Sequence, residues 1–149
     1  MRKVLLLAAT LFACSTNDET KVDSAAATTD APARLTAADV AGTWSGTTMA
    51  EGSDSVTGRF TTIRESDTEG KLVTENSPDT VLFSVVYDAD SMITTSRPYT
   101  SRNYPAAPVI FRSVGRLKDG KLVGTTVTMI AAKPDSVLSR GRWEATRKP

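Results

Sequence analysis

Cys14 is the single cysteine among 149 residues, and the chain has no histidine. A thiolate is a strong nucleophile, so Cys14 is the one residue whose type suits covalent chemistry. A lone thiol can form neither an internal disulfide nor a cysteine zinc cluster. Without histidine there is no imidazole general base, no Ser-His-Asp or Cys-His nucleophile system and no histidine metal site. The other polar groups lack catalytic spacing. Glu65, Glu69, Glu75 and Glu144 show no pairing of the kind a glycosidase needs. Ser45, Ser84 and Ser113 lie in no Gly-x-Ser-x-Gly context, and there is no glycine-rich phosphate loop. Asp88-x-Asp90-Ser91 offers carboxylates for calcium but lacks the glycine and terminal glutamate of a full loop site, and turn chemistry accounts for it. The expectation is binding without catalysis, with no cofactor and no metal.

The residues before and after Cys14 say where that chemistry would occur. Met1-Arg2-Lys3 is basic, and Val4 to Phe12 (VLLLAATLF) is uncharged and mostly apolar. Nine residues at about 1.5 Å each fall short of a bilayer core of roughly 30 Å, so the run reads as the hydrophobic region of a signal peptide. Leu11-Phe12-Ala13-Cys14 resembles a bacterial lipobox, in which the cysteine is lipidated and becomes the first mature residue. Phe12 stands where that pattern commonly has a small residue. The resemblance implies residues 1–13 as signal peptide and a membrane anchor through acyl chains, such as palmitate, on Cys14. Each buried CH₂ of an acyl chain contributes about 0.8 kcal/mol to anchoring. Ser15 after the cysteine implies the bacterial outer membrane rather than the inner one.

Ser15 to Ala37 (STNDETKVDSAAATTDAPARLTA) has no aromatic residue, and only Val22 and Leu35 are large and apolar. Such a segment buries too little surface to offset its ordering entropy, so residues 14–35 read as a disordered tether. Cleavage before Cys14 removes Arg2 and Lys3 and leaves 16 basic against 17 acidic residues. A nearly neutral body has no electrostatic reason to hold nucleic acid or anionic lipid, and no nucleic-acid partner is expected.

Residues 36–149 read as one all-β domain. Thr36 is placed to cap a short helical turn over Ala37–Ala41, with Asp39 completing a box-like pattern and Gly42 ending it. Eight strands follow: Gly42–Met49, Ser55–Glu65, Lys71–Glu75, Thr80–Tyr87, Ser91–Ser96, Val109–Lys118, Lys121–Ile130 and Val137–Arg147. Turns are expected at Glu69-Gly70, at Asp88-Ala89-Asp90 and at Asp119-Gly120, the last a type I′ hairpin signal. Short connections imply an antiparallel up-and-down sheet, and eight such strands close into a barrel.

The helical turn, Gly42-x-Trp44 and the meander that follows resemble the lipocalin and related calycin barrels. The resemblance implies that Trp44 plugs the closed end while a basic residue of the last strand packs across its ring. Period two puts Trp143, Ala145 and Arg147 on one face of the last strand and Trp44, Gly46 and Thr48 on one face of the first. Antiparallel pairing of those strands sets Arg147 near Trp44 and Trp143 near Thr48. The chain is shorter than most lipocalins and lacks their disulfide.

The Asp119-Gly120 turn fixes a register in which Leu117 faces Leu122, Gly115 faces Gly124, Ser113 faces Thr126 and Phe111 faces Thr128. The face containing these residues carries no charge, whereas the other carries Arg112 and Arg116. Arginines belong in water, so the uncharged face is expected inside, where its small residues leave room for a ligand touching Phe111, Ser113, Thr126 and Thr128. The opposing expectation is a core filled by Phe60, Phe83 and Tyr87. Arg97–Pro108 reads as a long irregular loop, broken by Pro98, Pro105 and Pro108, that covers the mouth with Tyr99, Arg102 and Tyr104. Two functions follow for a monomeric protein: a barrel binding a small, mainly apolar molecule, or a cell-envelope interaction module with a filled barrel. A third, an integral outer-membrane barrel, requires apolar outside and polar inside, which inverts this pattern.

Overall fold

The computed structural model describes residues 34–149. The expected signal peptide, Cys14 and the expected tether as far as residue 33 lie outside the described residues.

A 3₁₀ turn, Ala38–Val40, precedes nine strands: β1 Thr43–Ala50, β2 Val56–Arg64, β3 Glu69–Thr74, β4 Val81–Asp88, β5 Ser91–Ser96, β6 Tyr99–Ser101, β7 Tyr104–Lys118, β8 Lys121–Ile130 and β9 Lys133–Arg147. Every pairing is antiparallel. The order β5-β4-β3-β2-β1-β9-β8-β7 closes on itself through β5–β7, which makes an eight-stranded up-and-down barrel. β6 pairs only with the first part of β7 and stands outside the ring.

The closing register sets Trp44 opposite Arg147 and Thr48 opposite Trp143. Asp119 and Gly120 have φ of 50° and 75°, the left-handed pair that a two-residue hairpin requires. They join Lys118 to Lys121 in the expected register, with Gly115 opposite Gly124 and Phe111 opposite Thr128. Ala89 takes φ 50° in the β4–β5 turn between the paired residues Asp88 and Ser91.

Several expectations are corrected. Arg97–Pro108 is not an irregular loop: Tyr99–Ser101 is strand, and β7 already runs from Tyr104 through Pro105 and Pro108. Pairing with β8 starts only at Val109, so the prolines lie on an open edge where a missing N–H breaks no ladder. Glu69 and Gly70 begin β3 rather than forming a turn. The turn precedes them, with Glu65 and Ser66 N–H both donating to Glu69 O. Gly70 is glycine for packing, because the Phe83 ring occupies the space a Cβ would need. Thr36 does not cap the 3₁₀ turn; its N–H and hydroxyl instead donate to Asp39 Oδ2, at 2.9 and 2.6 Å. Leu117 faces water rather than the interior, because β5 reaches only to the residue opposite Arg116 and no strand covers Leu117 on that side. Leu35, counted with the tether in the sequence, is a core residue whose N–H donates to Ala89 O at 2.9 Å.

Part of the core gathers at one end. Trp44, Val40 and Leu122 are almost fully buried there with Leu35, Val85, Met92 and Ala145. This is the end where β1 begins and β9 finishes, and the 3₁₀ turn lies beneath it.

Candidate functional site

Trp44 and Arg147 build the floor. Trp44 Nε1 donates to Val40 O at 3.0 Å, which ties the strand to the 3₁₀ turn. The Arg147 guanidinium lies 4.6 Å from the Trp44 ring centroid, donates to Asp39 O at 2.6 Å, and also bonds Ala41 O. The hydrogen bonds from Thr36 hold the Asp39 carboxyl below its ordinary pKa, and the Arg147 charge adds to the same effect. With these partners engaged, the arginine acts as a bolt across the closed end.

Above this floor lies a cavity of about 380 Å³, within the range of small-molecule sites. Phe60, Leu72, Phe83, Phe111 and Trp143 supply apolar walls, with Thr62, Thr94, Ser113 and Thr126 between them. It opens at the end ringed by Met49, Thr57, Asn76, Asn103 and Arg140. The space exists because small residues sit where strands cross beneath the large ones. Gly115 and Gly124 face each other, and the Trp143 indole occupies the place of their missing side chains. Trp143 Nε1 donates to Ser113 Oγ at 2.6 Å, and Ser113 Oγ donates to Thr125 O at 2.9 Å, so both buried polar atoms are satisfied. Phe60 meets the Trp143 ring edge-on at 6.2 Å, and Tyr99 meets Phe111 in the same way.

Of the residues expected to touch a ligand, Phe111, Ser113, Thr126 and Thr128 all line this cavity, as do Tyr99 and Tyr104 at its mouth. Burial pushes the Tyr99 hydroxyl above its ordinary pKa, and Tyr104 adds to the rise. Arg102 is not among the lining residues. Its Nη1 donates to Glu75 O at 3.2 Å and its N–H to Asn76 O at 2.8 Å, which pins the β6–β7 turn to the β3–β4 connection. Trp143 is a wall of the cavity rather than part of the floor, four residues up β9 from Arg147. Of the expected fillers, Phe60 and Phe83 line the space and leave it open, whereas Tyr87 packs against the core and is not among the lining residues. Asp90 belongs to turn chemistry: it accepts from Ser91 Oγ at 2.9 Å and pairs with Arg116 at 3.3 Å.

The residue that sequence reasoning missed is Arg64. It projects into the deep end of the cavity, against the assumption that arginines all face water. Its guanidinium carbon lies 5.0 Å from the Phe83 centroid, and Nη2 lies 2.9 Å from Met92 Sδ. Burial lowers its pKa from the ordinary value, with the Tyr87 hydroxyl opposing that effect. Burial likewise raises the Tyr87 hydroxyl, the Arg64 charge opposes the rise and Asp67 adds to it. The signal was present in the alternation: Phe60, Thr62 and Arg64 share one face of β2 by period two. Comparisons of the chain with protein-family models, with curated proteins and with solved structures find no match.

Proposed function

We propose that the barrel binds a small, mainly apolar molecule in its cavity and performs no catalysis, and that Cys14 carries a lipid that anchors it in a bacterial envelope. The observation that supports binding is the cavity itself, about 380 Å³ with aromatic and aliphatic walls and an open mouth. A filled core would leave no such space, which favours a binder over an interaction module. Anchoring rests on the basic start, the short apolar run and the lipobox-like Leu11–Cys14.

The test is titration of the full chain, made cell-free so that Cys14 carries no lipid, with a neutral naphthylamine probe whose emission rises in apolar surroundings. Saturable binding near one probe per chain, competed by dodecanol, is expected. Thr126→Phe places a ring in the cavity and should weaken the probe at least about tenfold while leaving the far-UV spectrum unchanged. A folded chain that binds no probe would refute the proposal.

A further inference from the structure

Among the described residues, the deep end of the cavity holds a cation with no anion paired to it. Arg64 Nε and Nη1 are buried and have no hydrogen-bond partner among the described residues. These two atoms carry three of the five N–H groups of a guanidinium. The third nitrogen meets only the Met92 thioether, a weak acceptor. The Phe83 face attracts the charge but satisfies none of the unpaired N–H groups. Among the described residues, the carboxylates that pair with arginine do so elsewhere, Glu75 with Arg59, Glu69 with Arg97, Asp90 with Arg116 and Asp54 with Arg142. The Tyr87 hydroxyl is a second buried polar atom without a partner. A buried charge is ordinarily paired, and a lone one on a side chain that lines a cavity is poised for an anion brought from outside, which reaches the guanidinium as that side chain shifts.

The rest of the cavity decides what that anion is attached to. Arg64 lies at the C-terminal end of β2, and Thr57, near the start of the strand, lines the mouth. Seven residue steps of strand run between them, about 23 Å along the chain. Phe60, Leu72, Phe111 and Trp143 line the space between. We infer that the ligand is an amphiphile with a single negative head, a carboxylate or an alkyl phosphate, which enters head first to meet Arg64 and lays its apolar tail along these walls toward the mouth. A neutral ligand would leave the guanidinium unpaired, and a cationic one would be repelled. This inference rests on the cavity-binding reading above and specifies its ligand.

Displacement of the bound neutral naphthylamine probe from the full chain tests it, with dodecanoate, dodecyl phosphate, dodecanol and dodecylamine as competitors. In the unaltered chain, the acids should displace the probe at concentrations at least about tenfold below dodecanol, with dodecylamine weakest. The better of the two acids identifies the head. Arg64→Met should bring the acids to parity with dodecanol, and Arg64→Lys should keep part of the preference. If the probe binds but acids and alcohol compete equally in the unaltered chain, the head-group assignment falls and cavity binding stands. A preference for acids that persists in Arg64→Met also overturns it. If no probe binds, the cavity reading itself fails. Should the methionine variant not fold, the comparison of competitors on the unaltered chain and on Arg64→Lys still decides.

Discussion

A single side chain, Arg147, joins three parts of the closed end. It covers Trp44, holds the backbone of the 3₁₀ turn at Asp39 and Ala41, and ends the last strand. Arg147→Met keeps the length of the stem and removes the charge and the donors. It should lower stability by about 1–2 kcal/mol, read as a lower urea midpoint with little change in slope. Arg147→Lys should recover only part, since an ammonium lacks the planar fork that reaches two carbonyls while stacking on a ring. An unchanged midpoint in the methionine variant would show the bolt to be idle. This contact was legible because period two fixes the shared face and antiparallel closure the direction, while the lipocalin resemblance implied a basic residue across the tryptophan ring. Arg64 was marked by the same alternation, but hydropathy assigns every arginine to water and overrode it.

At the level of elements, the β7–β8–β9 wall depends on a flat place for an indole. A Cβ on Gly115 would lie 2.6 Å from Trp143 Cζ2, and one on Gly124 would lie 2.7 Å from the same atom and also strike Val114 O. Backbone cannot yield as a side chain does, so Gly124→Ala should cost roughly 1–3 kcal/mol and shift Trp143. The checks are thermal unfolding and the emission maximum of a Trp44→Phe background in which Trp143 alone reports. A stable variant with unmoved emission would contradict the packing. The hairpin feeding this wall was readable because Asp119-Gly120 specifies both turn and register. β6 and the start of β7 were not, because proline argues against a strand only where both edges are paired, and the sequence does not say which edges are free. Gly70 misled for a related reason: a glycine that admits a neighbour's ring looks the same as one that makes a turn.

For the whole molecule, the eight strands of the ring and its closure follow from turn spacing, and both were expected from the sequence. Whether the interior is full or hollow depends on side chains from eight strands meeting at once, and pairwise register does not supply that. If anchor and cavity are separate devices, Cys14→Ala should move the chain expressed in bacteria from the membrane to the soluble fraction and leave probe affinity within about twofold. Retention of the variant on membranes would count against lipidation at this cysteine. The hydrogen bond from Leu35 to Ala89 gives the barrel a polarity. It fastens the incoming chain to the stoppered pole, beside Trp44 and away from the rim formed by Asn76, Asn103 and Arg140. If Cys14 anchors the chain and the cavity binds as proposed, the barrel is held by its base, and cargo would be loaded or handed on at the opposite pole without the mooring standing in the doorway.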